Sequence, residues 1–186
     1  LGLYEKARAH SERAAELRGR WLGPGHPDTL SSLDRQAAAL QGLAQYPRAE
    51  EIWNGILTRQ RTAHGERHPL TLSTLRRLAM LYRAQGKYPQ AENLLAKVLA
   101  TRRQYLGADT QDTLRAAGDL ASVYTSMGKH GEAEKLQRTT YEARRRLLGE
   151  EHPETLSSLH DLAVAVHYLS RVAEAEPLYR KALEAQ

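Results

Sequence analysis

The sequence predicts an all-α fold, a solenoid in which helical hairpins stack on one another, and two observations predict it. Glycine recurs every 42 residues, at Gly23, Gly65, Gly107 and Gly149, and each glycine opens a similar segment. Within each segment, the apolar residues follow helical spacing in two successive runs. A fixed period of this length is typical of solenoids, so each repeat should bury its apolar face against its neighbours.

The second copy shows what one repeat contains. Gly86 can provide a left-handed helix end between its two apolar runs, and Pro89 suits the first turn of the next helix. Each repeat is therefore predicted to be a hairpin of two α-helices. The runs are Leu72, Leu75, Leu78, Ala79 and Tyr82, followed by Ala91, Leu94, Leu95, Val98 and Leu99.

A His-Pro pair opens three copies, at residues 26–27, 68–69 and 152–153. Proline suits the first helical turn, where its missing N–H costs nothing, so the histidines are expected near helix N-caps. Equivalent atoms in stacked repeats are about 10 Å or more apart, which is too far for a shared zinc ion. No metal or other cofactor is predicted. His64 and His68 have i, i+4 spacing but are expected in a loop, because Gly65 lies between them.

The 42-residue period also sets the predicted organisation of the chain. Residues 1–22 would be a lone second helix, followed by repeats at 23–64, 65–106, 107–148 and 149–186, all in one solenoid domain. Solenoids need polar caps, and none is evident, so the chain is interpreted as a segment of a longer protein or as a small protein whose ends self-associate. Exposed or paired apolar surface is then expected at Leu1, Leu3, Leu178 and Leu183.

The third repeat departs most from the shared pattern. Thr110 and Gln111 replace His-Pro, Gln137 occupies an apolar position, and Gly118 lies inside a predicted helix, where glycine costs about 1 kcal/mol relative to alanine. Two interpretations stay open: drift in a repeat that its neighbours support, or a pocket that Gly118 opens on the concave wall. In the first repeat, Trp53 takes a position at which the second has leucine.

The second repeat resembles the signature of the tetratricopeptide repeat. The residues that carry this resemblance are Leu75, Leu78, Ala79, Tyr82, Gly86, Tyr88, Ala91, Leu95 and Val98. Alanine holds its two small positions in every copy, at 37, 79, 121 and 163 and at 49, 91, 133 and 175. The usual period in that family is shorter than the one found here. The longer repeat with its G-x-x-H-P-x-T-L opening is similar to the subtype of kinesin light chains and many bacterial regulatory proteins. The resemblance implies a right-handed superhelix.

In that family the first helices of the repeats line a concave groove that holds an extended peptide or a partner helix. We call the corresponding surface the groove face. Carried over by position, the resemblance implies partner binding by Arg35, Arg76, Arg77, Met80, Arg83, Arg115, Gly118, Asp119, Ser122, His160, Asp161, Val164 and His167. The same face carries Ser31, Asp34, Ala38, Gln41, Ser73, Thr125 and Ser157. Its arginines favour an acidic partner, unless Asp34, Asp119 and Asp161 neutralise them.

Other functions lack sequence support. There is no phosphate-binding loop, no H-E-x-x-H, no G-x-S-x-G and no cysteine, and the tyrosines fall at core positions, so neither catalysis nor nucleic-acid binding is expected. The lack of an apolar stretch of 18 residues and the polar start of the sequence favour a cytoplasmic, membrane-free protein. The sequence therefore favours a non-catalytic protein-interaction module, the sensor or scaffold segment of a larger bacterial regulator. The alternative is a solenoid that self-associates through its ends.

Overall fold

The computed structural model describes residues 2–184, and in that range it contains nine α-helices and no strand. The helices are α1 (Gly2–Leu22), α2 (Pro27–Gly42), α3 (Tyr46–His64), α4 (Pro69–Ala84), α5 (Tyr88–Tyr105), α6 (Gln111–Ser126), α7 (His130–Leu148), α8 (Pro153–Tyr168) and α9 (Val172–Glu184). From α2 onward, corresponding helices begin at the spacing of the sequence repeat. The predicted all-α fold of helical hairpins is thus confirmed. None of the described helices is both long and apolar enough to cross a bilayer.

The helices form two compact units, residues 1–86 and residues 87–186. In the first unit, α1 packs against α2, and α3 packs against both α2 and α4. In the second unit, α6 packs against α5 and α7, and α8 packs against α7 and α9. A second helix thus joins the first helices of two consecutive repeats within each unit. The grouping of all repeats into one domain stays a prediction.

The His-Pro turn acts as a helix cap. His26, His68 and His152 are the N-caps of α2, α4 and α8, and the Nδ1 atom of each accepts the backbone N–H two residues later, at 3.2, 3.3 and 3.2 Å. In the third repeat Thr110 replaces histidine, and its Oγ1 accepts the N–H of Thr113 at 3.3 Å. A cap acceptor satisfies an N–H that the helix itself leaves unpaired. The expected capping role of the histidines is confirmed.

The recurring spacing between the glycine and the threonine of this turn also has a local cause. Thr29, Thr71 and Thr113 donate their hydroxyl hydrogens to the carbonyl oxygens of Gly23, Gly65 and Gly107, at 2.9, 2.9 and 2.8 Å. These glycines have φ between +83° and +101°, where a side chain would be strained. The opening motif of each of these repeats is therefore explained by its own backbone geometry.

Two other expectations concern turns. Gly86 has φ of +74°, as predicted for a left-handed helix end. The placement of His64 in a loop was wrong, because α3 continues through His64 and the N–H of Gly65 still bonds to the carbonyl of Arg61. The imidazole of His64 stacks on that of His68, with centroids 4.3 Å apart.

The core is formed by the recurring small residues together with larger apolar side chains. All eight recurring alanines of the repeat signature are at most 1% exposed, which allows neighbouring helices within each unit to approach closely. Leu3 and Leu183 are 80% and 68% exposed, as expected for the outermost helices. Leu178 is instead partly buried, because it packs against a core cluster that includes Tyr141 and Leu159. Leu1 lies outside the described residues.

Candidate functional site

A cleft of about 290 Å³ lies between α2 and α4 in the first unit, with α3 as its third side. Four residues of the groove face line it: Ser31, Asp34, Ser73 and Arg77. Apolar lining comes from Leu30 on α2, Ile56 on α3 and Leu70 on α4. The cleft therefore combines apolar walls with a small number of polar groups, which is the usual composition of a ligand-binding pocket.

The charged groups of this cleft compensate each other. Oδ1 of Asp34 lies 2.7 Å from Nε of Arg77, and it also accepts the indole N–H of Trp53 at 2.9 Å. Asp34 and Arg77 belong to consecutive repeats, so this is the inter-repeat pairing that was one alternative for the groove arginines. At Arg77 the positive charge is therefore neutralised by a neighbouring carboxylate.

Gln60 provides a polar group on the α3 side of the cleft. Its side chain is buried, and its Oε1 accepts a hydrogen bond from the hydroxyl of Thr74 at 2.7 Å. Since the carbonyl oxygen of the amide is used in this way, its NH2 group is the part that can donate to an occupant.

A smaller cleft, of about 160 Å³, lies at the equivalent place in the second unit. Its lining includes Leu114, Arg144 and Glu154, which stand two repeats after Leu30, Gln60 and Leu70. Arg144 donates to the backbone carbonyl of Glu154 at 3.1 Å and to the hydroxyl of Ser158, and its NH2 lies 3.5 Å from the Glu154 carboxylate. Burial lowers the pKa of the Arg144 guanidinium, and the carboxylate of Glu154 opposes that shift. At this junction an arginine and an acid occupy the positions that are neutral in the first unit.

Sequence reasoning missed the series of polar residues to which Gln60 and Arg144 belong, of which Gln60, Arg102 and Arg144 are buried and Arg18 is half-buried. Arg18 donates to Ser32 at 2.7 Å, and Arg102, which is 2% exposed, lies 3.3 Å from Asp112. The signal was present, because positions 18, 60, 102 and 144 follow the period of the repeat and three of them are arginine. An arginine on a helix is usually solvated, so the recurrence was not interpreted as burial.

The groove face of the second unit and its surroundings carry a network of positively and negatively charged side chains. Arg115 lies 3.1 Å from both Asp112 and Glu154. The carboxylates of Asp119 and Asp161 act electrostatically on Arg144 and favour its charged form. Positive and negative groups thus alternate on this face, and the surroundings of Arg115 are mixed in charge rather than basic.

Two histidines that were predicted to bind a partner on this face, His160 and His167, contact the ring of Tyr179. The ring of His160 is 5.5 Å from that of Tyr179, in an edge-on orientation, and the ring of His167 is 6.4 Å from it. Burial raises the pKa of Tyr179, and the nearby Tyr168 adds to this shift. His160 and His167 therefore belong to an aromatic cluster between α8 and α9.

The third repeat, which departs most from the shared sequence pattern, leaves space beside Gly118. A Cβ atom added at Gly118 would have no described atom within 4 Å apart from its chain neighbours and the adjacent backbone of α6, as the pocket interpretation requires. Ser122 donates to the Gly118 carbonyl at 3.1 Å, within the same helix. Gln137, which takes the apolar position in α7, is 2% exposed, and its Oε1 has no hydrogen-bond partner among the described residues.

The remaining predicted residues lie on the same helices but do not line either cleft. Arg35 is exposed on the surface of α2, and Arg76, Met80 and Arg83 on α4 and Val164 on α8 are half-buried. The structure thus brings together only part of the predicted set, with Arg77 in the larger cleft.

Comparison with known proteins gives the same fold. A protein from Podosopora anserina, described as a putative kinesin light chain with nearly identical TPR-like repeats, is 27% identical over 100% of this chain and 87% of its own, with a TM-score of 0.78. BtubC (BKLC) from P. vanneervenii is 20% identical over 98% of this chain and 73% of its own, with a TM-score of 0.84. PlcR from Bacillus thuringiensis, solved with the peptide PapR7 and DNA, is 14% identical over 96% of this chain and 64% of its own, with a TM-score of 0.73. No curated protein matches the chain.

A model of the tetratricopeptide repeat family matches residues 1–52, 32–104 and 109–186, which together cover almost the whole sequence. The helical hairpins, the buried alanines and the regular repeat period agree with that match. The chain therefore belongs to the tetratricopeptide repeat family, and its repeats are of the kinesin-light-chain-like kind.

Proposed function

We propose that this chain is a non-catalytic module that binds an extended peptide segment of a partner protein in the cleft between α2 and α4. The observation that carries the proposal is the cleft itself, which combines residues of two consecutive first helices with apolar lining from all three helices. Its volume, about 290 Å³, is near the lower end of the range of ligand pockets. Tetratricopeptide repeats form protein-interaction modules, so a protein partner is the natural occupant.

The polar groups of the cleft suit a peptide. The Gln60 amide can donate to a backbone carbonyl, while Ser31 offers a hydroxyl group on α2. Burial of an apolar side chain would supply most of the affinity, and these hydrogen bonds would fix its orientation.

We also propose that the module serves as the sensor or scaffold segment of a larger bacterial regulator. PlcR supports this idea by analogy alone, because that protein has the same fold and was solved with a peptide and DNA. This chain spans 64% of PlcR, so any further activity would belong to other parts of a parent protein.

An acidic partner remains part of the proposal for the groove face outside the cleft, where Arg35, Arg76 and Arg83 lie. Arginine grips carboxylates through paired hydrogen bonds, and such contacts weaken as salt is added. Replacing Arg76 and Arg83 together by alanine should then weaken binding by a few kcal/mol at most and reduce its salt dependence.

The experiment is a selection of peptides from a random displayed library on the purified chain. Enriched peptides would be titrated by calorimetry at low and high salt, and NMR would map them on the chain. The shifted amides should lie on α2, α3 and α4. The matched control for the double arginine substitution of the groove face is Arg145→Ala with Arg146→Ala at the end of α7. This control removes two positive charges on a helix that does not belong to the proposed contact. Failure to enrich any peptide, or shifts confined to other helices, would refute the function.

Self-association is the second candidate, and exposed apolar residues on α1 favour it. Trp21 is 84% exposed and Leu3 is 80% exposed, and Leu22 lies beside Trp21 with 48% exposure. Leu3 lies at the opposite end of α1 from Trp21 and Leu22, so the candidate contact is the end that carries Trp21 and Leu22. Exposed apolar side chains of this size often mark a contact with another molecule.

A further inference from the structure

Two junctions between a second helix and the following first helix, α5–α6 and α7–α8, share one polar arrangement, and the α1–α2 junction has a related contact to the backbone. An arginine of the second helix reaches an acidic residue in the first turn of the next helix; we call this pair the clamp. Arg102 lies 3.3 Å from the carboxylate of Asp112, and Arg144 lies 3.5 Å from that of Glu154. Arg18 donates to the backbone carbonyl of Asp28 at 3.3 Å.

The junction between α3 and α4 carries neither member of the clamp. Gln60 stands in place of the arginine, and Leu70 stands in place of the acid. An acidic residue in the first helical turn is stabilised by the helix dipole, and Leu70 gives up that stabilisation. Leu70 is also 47% exposed, so it presents apolar surface to water at a position where the other repeats present a carboxylate.

Loss of the clamp coincides with a larger and electrically neutral cleft. The cleft with Gln60 and Leu70 measures about 290 Å³, whereas its equivalent with Arg144 and Glu154 measures about 160 Å³. The acid and the arginine that line the larger cleft, Asp34 and Arg77, pair with each other at 2.7 Å. A charged side chain that entered this cleft would lose its hydration. It would gain little ion pairing in return, because Asp34 and Arg77 already neutralise each other.

We infer that the cleft between α2 and α4 takes an uncharged aliphatic or aromatic side chain of the bound peptide, and that Gln60 and Leu70 select it. The side chain packs against Leu30, Ile56 and Leu70, and the amide NH2 of Gln60 donates to a carbonyl oxygen of the same peptide. This inference rests on the proposed function and names the chemical class that the site recognises.

The test restores the clamp with the double substitution Gln60→Arg, Leu70→Glu. The probes are N-acetyl-leucinamide and N-acetyl-tryptophanamide, with N-acetyl-lysinamide and N-acetylaspartate amide as charged comparators, titrated into the folded chain by NMR. The two apolar probes should shift amides of α2, α3 and α4 with millimolar affinity, and the charged probes should not. The double variant should weaken apolar binding at least tenfold. It should also keep its thermal midpoint, because two native junctions tolerate the same kind of pair.

The matched control is Arg144→Gln with Glu154→Leu, which removes the clamp in the second unit. It should leave binding in the first unit unchanged and add a second set of shifts around α6 and α8. If the restored clamp prevents folding, the single variant Leu70→Glu gives the same comparison with one rim residue changed.

Several outcomes would overturn the inference. Equal shifts with the charged probes, or undiminished apolar binding by the clamp variant, would show that Gln60 and Leu70 do not select the occupant. A change of molecular mass in the clamp variant without any probe would identify a second copy of the chain as the occupant instead. Library peptides that bind the clamp variant normally would refute the inference and leave the proposed function standing. Probe binding without any enriched peptide would refute the proposed function and leave the side-chain preference of the cleft established.

Discussion

The indole N–H of Trp53 and the guanidinium of Arg77 meet at one carboxylate oxygen of Asp34, at 2.9 and 2.7 Å. These three residues lie on α3, α4 and α2, so a single oxygen connects all the helices around the larger cleft. Trp53 is 1% exposed, and a buried indole N–H needs an internal partner. The position of the cleft wall therefore depends on the charge and placement of Asp34.

Trp53→Phe should lower the free energy of unfolding by about 2–3 kcal/mol, because it deletes the hydrogen bond to Asp34 and leaves a small cavity. Trp21→Phe is the control, since Trp21 is 84% exposed and its replacement should change stability by less than about 0.5 kcal/mol. Urea denaturation monitored by circular dichroism measures both. Equal effects of the two substitutions would contradict the described environment of Trp53.

Ala44→Gly should stabilise the chain by about 1 kcal/mol. Ala44 has φ of +56° in the turn between α2 and α3, which costs a residue with a Cβ roughly that much. Gly86 occupies the equivalent turn of the next repeat with φ of +74°, so Gly86→Ala should destabilise by a similar amount. Thermal midpoints of the two variants should move in opposite directions from that of the parent.

Gly118→Ala should also stabilise, by about 1 kcal/mol, because alanine is favoured over glycine within a helix and the added Cβ meets no described atom within 4 Å. Gly42→Ala, also at a helical glycine, is the comparison. Its Cβ would lie 2.5 Å from the ring of Tyr4, so any gain in helix propensity should be lost to that clash. A destabilised Gly118→Ala variant would mean that the space in front of this glycine is occupied.

Acid should destabilise the second unit through Glu134. Its hydrogen bond to Arg138 lowers its pKa, burial opposes the shift, and the charge of Arg171 lowers the pKa further. Since the folded pKa is below the ordinary value of 4.5, the stabilisation is present above pH 4.5 and is lost as the pH falls through the folded pKa. Glu134→Gln should cost about 1 kcal/mol at pH 7 and flatten the dependence of stability on pH below 4.5. Glu176→Gln, at a side chain that is 66% exposed, should leave that dependence unchanged.

If α1 mediates self-association, Trp21→Glu should shift the sedimentation coefficient at high protein concentration toward that of the monomer. The substitution places a charge where an 84% exposed apolar ring would otherwise be buried between two molecules. Leu147→Glu, at a 50% exposed apolar residue of α7, provides the control. A parent chain that stays monomeric at every concentration would remove this candidate.

The helices were predictable from sequence because their causes are local. Spacing of the apolar residues, the glycine at each turn and the capping histidines act within a few residues of one another, and the regular period repeats the information. His64 shows the limit of this approach, since the helix continues up to the glycine that suggested a loop. Which carboxylate meets Arg77 could not be predicted, because Asp34 lies in another repeat and Trp53 competes for the same oxygen.

The larger cleft was less predictable than the face to which it belongs. Position alone placed Ser31, Ser73 and Arg77 on the right helices, but the cleft depends on Gln60 and Leu70, which lie off the predicted face. Their importance becomes visible only by comparison with Arg144 and Glu154 at the equivalent junction. A buried arginine in one repeat and a glutamine in another have different volumes and charges, and pattern reasoning that groups both as polar does not separate them.

The Thr–Gly hydrogen bond that closes each of these repeat openings lies entirely within its own turn, and the two members of a clamp lie on the two helices of one junction. Removing or adding the clamp at one junction should therefore leave the backbone geometry of the other junctions intact. In a longer array of such repeats, exchange of two residues at a junction would therefore change the number of clefts that hold a peptide side chain. Such a change needs no insertion, no loss of a helix and no shift of the repeat period.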